Sequence, residues 1–94
     1  VDSGISGSTA SKIGNALSDL SNLYQVVCVT HLPQIASKSI DSHYKIYKTT
    51  NDNRVTSKIE KLDAKNKINE VARLLSGERI TLDSLKQAEN MIVK

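Results

Sequence analysis

The sequence predicts an α/β fold with one buried strand, an antiparallel hairpin and about three helices. Residues 26–29 are four consecutive apolar residues, mostly β-branched, which is typical of a short strand buried on both faces. Residues 43–48 are rich in β-branched and aromatic residues, residues 55–62 alternate in polarity, and the turn-forming run at 49–53 between them indicates a hairpin. Apolar residues at helical spacing before and after these segments predict the helices.

The first half of the chain is predicted to run from a helix through a strand into a loop. Apolar residues at helical spacing predict an amphipathic helix over about residues 9–23, with Ser8 as its N-cap: Ile13, Ala16, Leu17, Leu20 and Leu23. The strand follows at about 25–30, then a loop containing His31 and a short helical turn around Gln34–Lys38.

The second half is predicted to be a hairpin followed by two helices. Residues 43–48 pair with about 55–62. Asp63 caps a second helix that ends at Gly77, and Thr81 caps a third. Their apolar faces are expected to pack on each other and on the sheet: Ile68, Val71, Ala72 and Leu75 in one, Leu82, Leu85, Ala88 and Ile92 in the other. One buried strand and a hairpin do not make a doubly covered sheet, so further strands are expected upstream.

Composition bounds the class of protein. The 94 residues include no Phe or Trp and three Tyr, so the core must be built from Leu, Ile, Val and Ala. A net charge of +3 with dispersed lysines permits an anionic partner but favours solvated faces. One cysteine excludes an internal disulfide and fits a reducing compartment. No signal peptide or membrane span is recognisable, and the Val at position 1 leads us to expect a natural beginning upstream.

His31 is the main candidate site residue. It follows the predicted buried strand, and ligands of open α/β sheets bind outside the carboxyl ends of the strands. A neutral imidazole can donate one hydrogen bond while a neighbour orients its other nitrogen. The alternative is a loop histidine bonded to local backbone. Gln34 can reach the same region or simply cap the turn, and Gly4 and Gly7 either let the opening loop approach a ligand or belong to a flexible N-terminus.

Metal or thiol chemistry is not predicted. Cys28 and His31 are three residues apart, but Cys28 is flanked by valines in the predicted strand, where free cysteine behaves as a small apolar residue. His43 is the other histidine, and no second cysteine completes a zinc site.

The motifs Val1-Asp2-Ser3-Gly4-Ile5-Ser6-Gly7 and Cys28-Val29-Thr30-His31-Leu32-Pro33-Gln34-Ile35-Ala36, with residues 70–77 and 80–81, resemble the C-terminal end of the RecN family. RecN proteins are bacterial DNA repair ATPases related to the SMC and ABC families. The resemblance covers essentially the whole chain, and it implies that residues 1–94 are the C-terminal lobe of an ABC/SMC-type ATPase head. Within it, residues 1–8 would be the D-loop region, 25–37 the strand and switch-histidine loop, 43–62 the hairpin, and 63–94 the two C-terminal helices.

The resemblance also implies roles for individual residues. His31 matches the switch histidine, which reaches the γ-phosphate of ATP. Asp2, Gly4, Ser6 and Gly7 fall in the loop that crosses the dimer interface toward the partner's nucleotide, and Ser6 stands where many relatives carry aspartate. Family members carry an Asp-Glu pair directly before the residue matching Val1. This acidic pair would bind Mg²⁺ and polarise the attacking water. No P-loop pattern is present, so the segment alone should hydrolyse nothing.

The implied partners are the N-terminal half of the head, a second head in an ATP-dependent dimer, and DNA through the complete protein, in a bacterial cytoplasm near the nucleoid and without a membrane. Two other interpretations stay open. The chain could be a small basic α/β module that binds DNA or protein without nucleotide, or a dimerisation lobe whose histidine is structural. Steeply salt-dependent DNA binding would favour the module, and a stable oligomer indifferent to nucleotide would favour the dimerisation lobe.

Overall fold

A computed structural model describes residues 6–39, 42–77 and 79–92. Along the described chain the elements are α1 (Gly7–Leu20), α2 (Pro33–Ala36), β1 (Tyr44–Asn51), β2 (Arg54–Lys61), α3 (Ala64–Ser76) and α4 (Leu82–Met91). The structure confirms the α/β class and the hairpin. The predicted short helical turn is α2, and the three longer helices are α1, α3 and α4.

Side-chain caps fix where the helices begin. Asp63 accepts a hydrogen bond from the Asn66 amide at 2.8 Å, and α3 ends at Gly77 with φ of 79°, as predicted. Thr81 begins α4 through a capping box with Ser84, also as predicted. The cap of α1 is Ser6 rather than Ser8, so this helix begins and ends earlier than its apolar spacing suggests.

The hairpin is a two-stranded antiparallel sheet in which Ile46 pairs with Ile59 and Asn51 with Arg54. Its tight turn places Asp52 and Asn53 at φ of 50° and 64°. Positive φ at both central residues matches the right-handed twist of the flanking strands, and Asp and Asn tolerate this conformation better than most residues.

The buried strand predicted at about 25–30 does not form. Residues 25–32 have no regular secondary structure, and the side chains of Val27 and Val29 are 84% and 79% exposed. Cys28 is exposed as well, which corrects its expected burial. A strand needs a neighbour for its backbone hydrogen bonds, and the sheet of the described residues consists of β1 and β2 alone.

The cores of the described chain are small and helical. Val71 and Ala72 of α3 and Ala88 of α4 are fully buried, and Ile68, Leu75, Leu85 and Ile92 pack around them. The predicted stripes therefore face each other, although Leu82 is 78% exposed. A second contact joins α1 to α2, where Gly14 lets the helices approach: a Cβ there would lie 2.9 Å from the Gln34 carbonyl oxygen.

Candidate functional site

The loop that carries His31 is fixed by its neighbours in the sequence. The Thr30 hydroxyl accepts a hydrogen bond from the Leu32 amide at 3.0 Å. Pro33 then begins α2 with its fixed φ and is itself buried. His31 lies between these two constraints with an exposed side chain. The local sequence thus holds the backbone on both sides of an exposed His31.

The structure brings Gln34 against the beginning of α1. A Cβ on Gly7 would lie 3.3 Å from Gln34 Nε2, so the glutamine amide sits beside the first residue of this helix. Ser6 directly precedes it and caps it by accepting from the Thr9 amide at 3.4 Å. Two of the predicted site residues, Gly7 and Gln34, therefore meet, Ser6 directly precedes Gly7, and His31 is in the loop that leads to Gln34. Asp2 and Gly4 lie outside the described residues.

Electrostatics at this site are sparse. The first turn of α1 carries no acidic residue, so the partial positive charge at its N-terminus is not offset by a carboxylate in that turn. Close to the same contact, Ser37 is fully buried, and its hydroxyl has no hydrogen-bond partner among the described atoms. Sequence reasoning does not single out Ser37, because nothing in its neighbourhood signals burial of a polar side chain.

A second polar cluster joins the base of the hairpin to α3. Glu70 is 7% exposed, and its carboxylate binds Lys45 of β1 at 3.1 Å and accepts from Arg73 Nε at 2.8 Å and from Arg73 Nη2. Burial alone would raise the pKa of Glu70, but the hydrogen bonds and positive charges of Arg73 and Lys45 outweigh burial and hold that pKa below its usual value. Arg73 holds this ion pair within α3 while its side chain stays 38% exposed.

Beside that cluster lies a groove of about 220 Å³, lined by residues of the hairpin and α3 that include Tyr47, Asn66 and Asn69. His43 directly precedes β1 at the base of the hairpin. Burial and the charge of Lys67 lower the pKa of His43, while Glu70 opposes them. Lys67 in turn donates to the Ser39 carbonyl oxygen. One sign of this cluster is visible in the sequence, the spacing of Glu70 and Arg73 on one helix face; its link to Lys45 depends on the tertiary fold.

Among the described residues no three His, Cys, Asp or Glu side chains come together in a way that could hold a metal ion. None of the helices in the described ranges is long and apolar enough to cross a membrane.

The fold and site define a class: an α/β segment in which a short helix, preceded by a histidine loop, packs on another helix. No family model matches the chain. It is 41% identical over 92 residues to the DNA repair protein RecN of Rickettsia typhi and 42% identical over 92 residues to that of Haemophilus influenzae, each match covering 98% of this chain and 16% of the relative. RecN of Vibrio cholerae is 40% identical over 95 residues, covering 99% and 17%.

These matches confirm the predicted resemblance: the chain is similar to a C-terminal segment of RecN. It spans about one sixth of the length of the relatives that it matches.

Proposed function

We propose that this chain is the C-terminal part of an ATP-hydrolysing head that acts in DNA double-strand break repair and recombination. The observation that carries the proposal is the match of almost the whole chain to proteins named DNA repair protein RecN. The contact between Gln34 and Gly7, with His31 in the same loop, supports it because it joins the two motifs that the resemblance identified. A cytoplasmic location near the bacterial nucleoid is part of the same proposal.

His31 acts in this proposal as the sensor of the γ-phosphate of ATP. A neutral imidazole donates one hydrogen bond to a terminal phosphate oxygen and reports whether that phosphate is present. The Thr30 to Leu32 hydrogen bond and Pro33 support the role, because a sensor must be held in place by its backbone. Gln34 would help to orient the same phosphate region from the first turn of α2.

The start of α1 would communicate across the interface of two heads. Its N-terminal amide groups would offer donors to a partner's nucleotide, with the Gln34 amide beside Gly7 at the same end of the helix. Ser6, which caps the helix, would supply a hydroxyl where many relatives carry a carboxylate. Asp2 and Gly4 belong to the same proposed loop.

ATP and Mg²⁺ would be bound by the complete head. The described residues offer backbone amides and His31 to a phosphate, and the resemblance implies that the Asp-Glu pair expected before position 1 would hold Mg²⁺. Phosphoryl transfer needs a phosphate cradle, a metal ion and a positioned water. The chain alone is therefore expected to be inactive, with the N-terminal half of the head and a second head as its partners and DNA bound through the complete protein.

The test is ATP turnover by the chain assembled with the N-terminal half of its head, comparing native His31 with His31→Ala. Loss of a preorganised hydrogen-bond donor should lower turnover by about 10²-fold, while nucleotide binding is retained. His43→Ala is the matched control and should leave turnover near the native rate, because His43 lies at the base of the hairpin. Unchanged turnover in His31→Ala makes His31 structural, and no turnover in any assembly favours the nucleotide-free binding module.

A further inference from the structure

The distal part of the hairpin, residues 48–58, which we call the hairpin tip, stands away from the helices. Every residue of β2 is exposed, and β1 alternates between exposed and half-buried residues. The ion pair that ties the hairpin to α3 involves Lys45, near the base. The tip is therefore a twisted two-stranded ribbon that is open to solvent on both faces.

Charge is concentrated in this hairpin. Residues 44–61 contain five basic and two acidic residues, a net charge of +3 that equals the formal net charge of the whole chain. Lys45 is neutralised by Glu70, but Lys48, Arg54 and Lys58 of the tip are exposed and make no ion pair within the described residues. Asp52 is the single acidic residue of the tip.

The other side chains of the tip are hydrogen-bonding groups of small size. Six of its residues are Thr, Ser or Asn, and Val55 is its one apolar residue: the six are Thr49, Thr50, Asn51, Asn53, Thr56 and Ser57. Hydroxyl and amide side chains, together with Lys and Arg, are the groups that contact phosphate and sugar in protein–DNA complexes. The exposed apolar residues Tyr44, Ile46 and Ile59 lie nearer the base, so the cationic tip is distinct from them.

We propose that the hairpin tip is a docking surface for the phosphate backbones of double-stranded DNA. The register places Lys48 on one face of the ribbon, opposite Ser57, and Arg54 and Lys58 on the other face, opposite Asn51 and Tyr47. Four residue pairs from Lys48 to the turn extend about 10 Å at roughly 3.4 Å per residue. The major groove is about 12 Å wide and 8.5 Å deep and admits a two-stranded ribbon, so cations on both faces of the tip can reach both walls.

Duplex DNA fits the tip better than single-stranded nucleic acid or an acidic protein. Binding of single strands relies on aromatic side chains that stack on bases, and the tip has none. A protein interface concentrates apolar and aromatic residues at its centre, whereas the tip offers one valine. The tip contains none of the residues proposed for ATP hydrolysis, so the surface goes beyond that role. ATP turnover of the assembled head separates the two: native turnover in the tip variant keeps the ATPase proposal whatever the result for DNA binding, and loss of DNA binding in that variant keeps the tip proposal whatever the result for turnover.

The test is a charge reversal of the tip, Lys48→Glu with Arg54→Glu and Lys58→Glu, against a matched triple variant, Lys12→Glu with Lys65→Glu and Lys86→Glu. The control residues are exposed lysines on α1, α3 and α4, so both variants change the net charge equally. Binding of a labelled 20-base-pair duplex is followed by fluorescence anisotropy without nucleotide over a series of salt concentrations. Thermal melts confirm that both variants fold like the native chain.

We expect the tip variant to bind the duplex about tenfold or more weakly at low salt. The slope of log K against log salt should fall by about 2 to 3, near 0.9 for each phosphate that the protein no longer neutralises. The control variant should be weakened much less. Equal weakening of both variants overturns the proposal, because the effect is then one of net charge. It is also overturned if the native chain shows no salt-dependent binding, or if a single strand of the same length binds more tightly than the duplex.

Discussion

Two segments of this chain are rich in β-branched residues, and only one of them forms strands. Residues 25–30 contain a continuous apolar run at 26–29, yet they remain irregular, and Val27 and Val29 are largely exposed. Residues 44–61 are more polar but form two paired strands of eight residues each. Apolar, β-branched content is therefore not what separates the two.

The difference lies in the distance along the chain to a pairing partner. The two strands of the hairpin are joined by a turn whose central residues, Asp52 and Asn53, take the positive φ that such turns require. Closing so short a loop costs little conformational entropy. Residues 25–30 have no such neighbour among the described residues, and their side chains would need a sheet with strands on either side to be buried.

The largest expected effect comes from placing a charged side chain in residues 25–30. Val29→Asp should change the stability of the 94-residue chain by less than about 0.5 kcal/mol, because Val29 is 79% exposed. In the chain assembled with the N-terminal half of the proposed head, the same substitution should cost about 3 kcal/mol, since the segment would there be a buried strand. Denaturant unfolding of the chain alone and of the chain assembled with the N-terminal half gives the two changes in stability.

Val55→Asp is the matched control for that experiment. Val55 is also β-branched and 65% exposed, but it lies in the hairpin tip. It should have a small effect in both assemblies. If Val29→Asp and Val55→Asp are equally mild in the larger assembly, residues 25–30 are not a core strand of any head.

The same contrast explains how much of the molecule is predictable from sequence. The caps at Asp63 and Thr81 and the end of α3 at Gly77 are predicted correctly because each depends on residues within one helical turn. The strand at 25–30 is not, because its formation depends on distant chain. Among the candidate site residues, the motif singles out His31 and Gln34, which stay predictions, but the contact of Gln34 with Gly7 and the burial of Glu70 require the tertiary structure.

The turn of the hairpin offers the next largest effect. Proline cannot adopt the φ of 50° found at Asp52, so Asp52→Pro should cost about 2 kcal/mol or more of hairpin stability. Hydrogen exchange should show reduced protection for amides of 44–61 while those of α3 and α4 stay protected. Asp52→Gly, which tolerates positive φ, is the control and should keep the hairpin. Retained protection in Asp52→Pro would mean that the turn does not determine strand pairing here.

The ion pair between Glu70 of α3 and Lys45 of the hairpin gives a smaller, pH-dependent effect on stability. The lowered pKa of Glu70 means that the folded state favours the ionised carboxylate. Its contribution is complete above the ordinary pKa of 4.5 and is lost as pH falls through the lowered value. Glu70→Gln should cost about 1.5 kcal/mol at pH 7, since both cations are partly exposed, and should flatten stability between about pH 5 and 3. An unchanged acid limb of the stability curve would contradict the role of this carboxylate.

The smallest expected effect is the titration of His43, which lies at the base of the hairpin and senses the charge of Glu70. Burial and the charge of Lys67 lower its pKa against the opposing charge of Glu70, and its Nδ1 is buried without a hydrogen-bond partner among the described atoms. The folded state therefore favours the neutral ring, so stability is complete above the ordinary pKa of 6.5 and falls as pH drops through 6.5 toward the lowered value. Because the ring is only half-buried, the loss should be less than about 1 kcal/mol. Thermal melts between pH 7.5 and 5 should show this slope in the native chain and lose it in His43→Asn. Lys67→Met should reduce the slope by removing the positive charge that faces the ring, and a slope that survives both substitutions would assign it to another group.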